Sequence, residues 1–415
     1  MIIEKHEIRL LKEFCDLMAH TRAIRFVIVE NIFNNNLESS DPDAINNERI
    51  NVEKLQITSL ENALFSLENI PFEGTRRILF LDASKKIEVD LAYEIEELKK
   101  DIFYLKNGEK KFFGYLENIH SGFTEQVEAG VKKLAGLDFN CFITDRDGTT
   151  NNYCGMYRSS IQSVYNAVFI TRFVKKRTEN PIIITSAPLK DPGIVDVSVN
   201  PENAIIYAAS KGREFIDLNG SRRTYPIEEN KQQLINELNK KLSDLLSNSE
   251  LEKFTLIGSG LQLKFGQTTI ARQDINGSIP QDESDKFLKL VQGIVTDIDP
   301  DGNNFRIEDT GLDIEIILTI EDSESVPKDF DKGDAVRYLN TELDLSMSKG
   351  PHLICGDTAS DIPMIEASIE QSDDTWTVFV TKNRTLAERV SAISSNTVLV
   401  TEPDMLVAML ACLSR

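Results

Sequence analysis

Residues 140–155, NCFITDRDGTTNNYCG, decide how this chain is read. A mostly apolar run leads into Asp145 and Asp147, and Gly148 follows with polar residues behind it. In an extended segment, residues i and i+2 face the same way, so the two carboxylates share a side. Carboxylates that close disfavour each other's charged form unless something positive lies between them. The apolar run reads as a buried strand, and Gly148 permits a sharp turn at its mouth. The positive partner must come from elsewhere in the chain.

Beyond Phe139, short apolar runs alternate with amphipathic segments: FNCFIT, NPIIITSAP, NAIIYAAS, PHLICGD, TWTVFVTK and NTVLVTEP. Their β-branched content and flanking turn residues predict buried parallel strands joined by helices. That is an open α/β sheet, whose sites lie at the carboxyl ends of its strands. Three of the runs end there in a polar residue, Asp145, Thr185 or Asp357. The pattern breaks over residues 227–319. Leu234, Leu238, Leu242 and Leu245 predict a helix, followed by KFTLIGSG and LQLKFGQTTIARQD as two strands. Phe287, Leu290, Val291 and Ile294 predict a second helix, followed by NFRIED and LDIEIILTI. This αββ-αββ order predicts a small α+β domain inserted into a core made of residues 137–226 and 320–415.

Residues 1–136 have another texture. Ile8, Leu11, Phe14 or Cys15, and Met18 recur at helical spacing. NIFNNNLESSDPDAINN reads as a loop, RRILFLD as a short strand, and Glu88 to Leu134 as a hairpin of two charged helices. No catalytic constellation is visible in this region. It reads as a docking or self-associating helical module.

The 415 residues predict two or three domains, and 41% hydrophobic residues with 13 prolines fit a folded chain. A net charge of -21 argues against a broad nucleic-acid or anionic-membrane surface. Cys15, Cys141, Cys154, Cys355 and Cys412 are scattered, without a C-x-x-C pair, so neither a disulfide framework nor a structural zinc is expected. Charges interrupt the first apolar run, and no uncharged stretch of about 18 apolar residues exists to span a membrane. The expectation is a cytoplasmic protein. His6, His20, His120 and His352 lack metal-ligand spacing, and Trp376 reads as core.

The missing cation is Lys332, in DFDKGDAVRYL at the start of a predicted helix. ICGDTASD adds Asp357 and, four residues on, Asp361. Three carboxylates and a lysine at one sheet edge predict a site for Mg²⁺ and a phosphate, since Mg²⁺ prefers oxygen ligands and shares them with substrate phosphates. Thr185 would offer a hydroxyl to the same phosphate.

Taken together, Asp145-x-Asp147-Gly148-Thr149, Thr185, Lys332-Gly333 and Gly356-Asp357-x-x-x-Asp361 resemble, in order, the four motifs of haloacid dehalogenase superfamily phosphatases. The resemblance implies a Rossmann-like core in which Asp145 is the nucleophile, forming an aspartyl-phosphate, and Asp147 the general acid and base. It implies that Thr185 and Lys332 hold the phosphoryl group. Asp145, the Asp147 carbonyl and Asp357 would bind Mg²⁺, and Asp361 would orient them. An insertion between Thr185 and Lys332 is similar to the sugar-phosphate phosphatases of the superfamily. YRSSIQSVYNAVFITRF, IIITSAPLKDPGIVDV, ASKGREF, FTLIGSGLQLKFGQTTIARQD and LICGDTASDIPMIEA resemble the nematode-type trehalose-6-phosphate phosphatases over residues 138–415. That resemblance implies trehalose 6-phosphate as substrate, with Glu214, Lys264 and Asp313 facing the sugar. Where many members carry Glu-x-Lys, this chain has Asp313 and Glu315. The alternatives are another phosphorylated sugar or glycoside, such as glucosylglycerol phosphate, and a non-catalytic regulatory or scaffold protein.

Overall fold

The computed structural model describes residues 2–34, 42–74, 76–81, 85–274, 277–319 and 330–415. The amino-terminal region contains α1 (Leu11–Asn34), α2 (Pro42–Glu68), a small antiparallel sheet, and three further helices. The sheet is β1 (Phe72–Glu73), β2 (Arg76–Phe80) and β3 (Lys86–Val89), so the strand expected at RRILFLD is present. The helices are α3 (Ala92–Asn107), α4 (Glu109–Ile119) and α5 (Phe123–Leu134).

Two expectations change here. α1 starts after Ile8 and runs through Asn34, because its buried stripe continues past Met18 to Ile24, Ile28 and Val29. The expected Asn-rich loop is therefore helix at both ends, and its remainder, residues 35–41, lies outside the described residues. The two-helix hairpin is instead three helices, broken at Gly108 and Gly122, both at positive φ.

The core follows as β4 (Phe139–Thr144), α6 (Val164–Arg177), β5 (Thr178–Ile184), the short α7 (Ile194–Val197), β6 (Ile206–Ala209), β7 (Glu214–Ile216) and β8 (Arg222–Thr224). The cap holds α8 (Glu229–Leu246), β9 (Leu261–Lys264), β10 (Gln267–Ala271), α9 (Gln281–Ile298), β11 (Phe305–Asp309) and β12 (Asp313–Leu318). The core resumes with α10 (Lys332–Leu343), β13 (His352–Gly356), α11 (Ile362–Gln371), β14 (Thr375–Val380), α12 (Arg384–Ile393), β15 (Thr397–Val400) and α13 (Pro403–Leu413).

One eight-stranded sheet has the order β15-β14-β13-β4-β5-β6-β7-β8. The six predicted runs form its parallel part, and β7 and β8 extend it as an antiparallel hairpin. β4 is buried along its whole length, as expected for a central strand covered on both faces. In the cap sheet, β11-β12-β10-β9, all pairings are antiparallel. The expected first strand, KFTLIGSG, is a 3₁₀ turn at Glu252–Thr255, and LQLKFGQTTIARQD is itself the β9–β10 hairpin. Ile235, Leu238 and Leu242 of α8 and Phe287, Val291 and Val295 of α9 are buried, with Phe287 stacked on Phe254 at 3.8 Å. Lys231 Nζ donates to the Thr319 carbonyl at 2.7 Å, which ties the start of the cap to its end.

The amino-terminal helices are continuous with this core. Leu98, Phe112 and Leu116 pack in one apolar cluster with Tyr165, Phe169 and the buried residues of α13.

Candidate active site

Register alone brings the acidic residues together. Thr144 pairs with Cys355, and Asp145 N donates to the Cys355 carbonyl at 3.0 Å, so Asp145 and Asp357 leave the sheet side by side. Ile183 pairs with Thr144 on the other flank, which brings Thr185 to the same edge. Lys332 arrives on α10. The Asp331 carboxylate accepts from Gly333 N and Asp334 N at 2.8 and 2.9 Å, capping that helix and fixing Lys332 as its first residue. A Cβ at Gly333 would lie 2.7 Å from the Pro363 carbonyl, so only glycine lets the helix start approach α11.

Lys332 Nζ donates to Asp145 Oδ1 and Asp361 Oδ1, at 2.6 Å each. Asp361 Oδ2 in turn accepts from Asp357 N and Thr358 N at 3.0 and 2.9 Å. Thr149 donates to Asp357 Oδ1 at 2.8 Å, and the Tyr153 hydroxyl to Asp357 Oδ2 at 2.6 Å. Gly148, at φ +87°, lies so close that a Cβ would meet Asp357 Oδ2 at 2.3 Å. Carboxylate oxygens of Asp145, Asp357 and Asp361 lie within 4.8 Å of one another, an arrangement that can hold a metal ion.

Burial dominates the electrostatics. It pushes Asp145 up to about 7, although Lys332 opposes the shift, and pushes Asp357 up to about 6. Burial works against the charge on Lys332, yet Asp145 and Asp361 hold its pKa above the ordinary lysine value. A strongly held cation thus stands beside a carboxylate that resists ionisation.

Asp147 stands apart from the acidic trio. Its carboxylate accepts from Arg146 and from Ser160 Oγ, the latter at 3.3 Å. Arg146 is buried and also donates to Ser160 Oγ at 2.9 Å, so the residue between the aspartates anchors this turn. Thr185 is buried, and its Oγ1 accepts from Ala187 N at 3.1 Å.

A cleft of about 440 Å³ separates core and cap. Asp147, Tyr153 and Tyr157 line it from the core, and Lys264, Asp313 and Glu315 from the cap. Burial pulls Lys264 down to about 8, opposed by nearby Glu315. Asp313 Oδ2 accepts from Ser259 Oγ at 3.1 Å, while its buried Oδ1 has no hydrogen-bond partner among the described residues. Glu214 does not line the cleft. It accepts from Ser210 Oγ at 2.9 Å and Arg222 at 2.7 Å, and Ser210 Oγ accepts from Phe265 N at 2.9 Å. Glu214 therefore braces the hairpin that carries Lys264.

Sequence reasoning gave no role to Thr149, Tyr153 or Glu315. Thr149 and Tyr153 belong to the loop after Asp147, where proximity to the strand end was the available signal. Glu315 follows Asp313 by two on one strand, and that spacing puts both on one face.

Residues 142–406 match the family model for the carboxyl-terminal part of trehalose-6-phosphate phosphatase, and residues 10–128 match that for its amino-terminal helical bundle domain. An α,α-trehalose-phosphate synthase (UDP-forming) of Aphelenchoides avenae is 32% identical over 99% of this chain and 32% of its own length. The chain spans about a third of the length of the first curated relatives it matches. A Brugia malayi trehalose-phosphatase is 27% identical over 99% of this chain and 87% of its own. The carboxyl-terminal domain of C. albicans trehalose-6-phosphate phosphatase aligns with a TM-score of 0.43 at 15% identity, covering 70% of this chain and 96% of that one. With both of its regions matched by models of one family, this chain belongs to the trehalose-6-phosphate phosphatase family.

Proposed function

We propose that the protein is an Mg²⁺-dependent phosphatase that hydrolyses trehalose 6-phosphate to trehalose and phosphate. The observation that carries this reading is Lys332 held between Asp145 and Asp361, beside Asp357, under a cleft lined by cap polar groups. The donor set is all oxygen, which suits Mg²⁺. Asp145, Asp357 and the Asp147 main-chain carbonyl would hold the ion, oriented by Asp361. When bound, Mg²⁺ supplies positive charge to the phosphate oxygens.

In the first step an Asp145 carboxylate oxygen bonds to phosphorus as the bond from phosphorus to the sugar oxygen breaks. Asp147 gives its proton to that oxygen. Water then attacks phosphorus, Asp147 takes a proton from it, and the bond between Asp145 and phosphorus breaks to release phosphate. Lys332 and the Thr185 hydroxyl hold the phosphoryl oxygens throughout. Such positioning matters because phosphate-monoester hydrolysis is among the slowest uncatalysed reactions, with accelerations up to about 10²¹-fold. Lys264, Asp313 and Glu315 face the sugar, and the unpartnered Asp313 Oδ1 is an acceptor that a sugar hydroxyl would satisfy. Glu214 acts on the sugar through the Ser210 and Phe265 contacts that seat Lys264.

The proposed division is residues 1–136, a core of 137–226 and 320–415, and a cap of 227–319. Among the described residues no helix is long and apolar enough to cross a membrane, and we place the protein in the cytoplasm. Self-association through the outer faces of the amino-terminal helices is part of the proposal, and mass in solution tests it. The central test is phosphate release from trehalose 6-phosphate, glucose 6-phosphate and glucosylglycerol phosphate, with and without a chelator. Highest kcat/KM on trehalose 6-phosphate and reversible loss on chelation are expected. Preference for another sugar phosphate overturns the substrate, and no release from any ester overturns the phosphatase.

A further inference from the structure

The helix α3 turns an unusually polar face inward: Tyr93, Glu94, Glu97, Lys100 and Asp101 are all buried. Part of this face grips the loop that follows Asp147. Asn152 Nδ2 donates to Glu97 Oε1 at 3.1 Å, and Ser159 Oγ donates to Glu94 Oε1 at 2.5 Å. A third contact leads further. Asn151 Nδ2 donates to the Tyr93 hydroxyl at 2.9 Å and to Ser160 Oγ at 3.4 Å, and the Ser160 hydroxyl donates to Asp147 Oδ1 at 3.3 Å. The Tyr93 hydroxyl has two acceptors for its own proton, the Ile161 carbonyl at 2.8 Å and Asn151 Oδ1 at 3.2 Å.

The contacts of this network also have neighbours: Asn151 Nδ2 donates to the Asn152 carbonyl at 3.1 Å as well. A serine hydroxyl has one donor and two acceptor sites. Ser160 accepts from Arg146 at 2.9 Å and has Asn151 Nδ2 at 3.4 Å, while its own hydroxyl faces Asp147 Oδ1 at 3.3 Å. The Tyr93 hydroxyl oxygen meets both ends of the Asn151 amide, Nδ2 at 2.9 Å and Oδ1 at 3.2 Å, and so seats that amide. Buried polar groups joined in this way favour one geometry, because a lost contact inside the protein is costly.

We propose that Tyr93, in the amino-terminal helical region, is a positioning residue for Asp147, acting through Asn151 and Ser160. The region would then be part of the phosphatase machinery as well as a module beside it. This rests on the reading of Asp147 as proton donor to the leaving oxygen. In that step the phosphorus–oxygen bond breaks and the proton passes from Asp147 to the departing oxygen. An alkoxide needs that proton to leave, whereas p-nitrophenolate departs without it.

The test measures kcat/KM on p-nitrophenyl phosphate and on ethyl phosphate, neither of which carries a sugar, for wild type, Tyr93→Phe, Ser160→Ala and Ser159→Ala. This parameter covers steps only through departure of the leaving group. Tyr93→Phe and Ser160→Ala are expected to lower the ethyl-to-nitrophenyl ratio on the order of tenfold, a fraction of the about 10²- to 10⁴-fold that general acids contribute. Ser159→Ala, which removes a grip on the loop that does not lead to Asp147, should keep the wild-type ratio. A merely structural role scales both substrates equally, so an unchanged ratio in Tyr93→Phe overturns the proposal. Should that variant not fold, an unchanged ratio in Ser160→Ala does so. Wild-type protein releasing phosphate from neither of these esters nor from trehalose 6-phosphate would instead sink the phosphatase reading itself.

Discussion

Two lysines in this molecule sit in almost the same immediate surroundings. Lys332 lies 2.6 Å from Asp145 and 2.6 Å from Asp361, and Lys100 lies 2.7 Å from Glu97 and 2.7 Å from Asp404. Both are buried. The difference is in what else the carboxylates hold. Asp404 also accepts from Tyr165 at 2.6 Å and is paired with His120 at 2.6 Å, so both its oxygens are engaged. Although burial works against its charge, Lys100 and His120 hold Asp404 well below the ordinary carboxylate range. Asp145 has Lys332 on one oxygen and a Thr149 hydroxyl at 3.5 Å from the other, and burial keeps it near 7. A saturated cluster holds helices together, whereas an undersatisfied one at a sheet edge has capacity left for a substrate. Composition alone does not tell them apart.

The largest effect should come from Asp145→Asn, which leaves the fold in place but lowers phosphate release by on the order of 10³-fold or more. Near-normal turnover would remove the contrast with Lys100. Next comes Asp404→Asn, which leaves Lys100 under-compensated inside the protein. Breaking a buried pair costs about 3–5 kcal/mol, so urea unfolding should shift strongly while kcat of the folded fraction stays close to wild type. A collapse of kcat with stability unchanged would make the Lys100 cluster catalytic.

Lys264→Ala should lower kcat/KM on trehalose 6-phosphate by about 1–3 kcal/mol, roughly 5- to 150-fold, with far less change on p-nitrophenyl phosphate. Because burial lowers Lys264 to about 8, the wild-type preference for the sugar ester should decline as pH rises through that value. Equal losses on both substrates would exclude sugar recognition by this lysine. Glu214→Gln acts one contact further back and should show the same bias in smaller measure.

The smallest effect is in stability against pH, and there the two clusters have opposite signs. Between pH 3.8 and about 7 the folded chain keeps a proton on Asp145 that the unfolded chain has lost, so this group's contribution falls as pH rises. Asp404 contributes fully above 3.8 and loses its contribution as pH falls below that value. In chelator-treated protein, Asp145→Asn should flatten the first slope and Asp404→Asn the second, both readable in urea midpoints. Parallel slopes in both variants would deny the distinction.

The acidic sheet edge was legible because its signals are local: apolar runs ending in Asp145, Thr185 and Asp357, and Lys332-Gly333 at a helix start. α3 was not. Glu94, Glu97, Lys100 and Asp101 read only as part of a charged helix, because their partners Ser159, Asn152, Asp404 and Arg25 lie far away in sequence. The β7–β8 extension was equally hidden, since β8 is Arg222–Arg223–Thr224, exposed throughout and without an apolar pattern. In the cap the number of strands survived while their positions shifted, because the β-rich run at 261–274 folds back on itself.

The tie between Lys231 and Thr319 bears on how the sheet assembles. β4 gains one neighbour, β5, soon after it is made, but its other neighbour, β13, follows only after the whole cap. Closing a loop that long is slow, and contacts between distant segments set the pace of folding. A cap whose two ends meet shortens the effective separation, because once folded it takes its own length out of the loop to be closed. Loop-closure entropy grows only logarithmically with length, so the equilibrium penalty of the insertion is small in any case. The gain from joined ends is in time: Asp357 can reach Asp145 along a path shorter than the chain between them by the length of the cap.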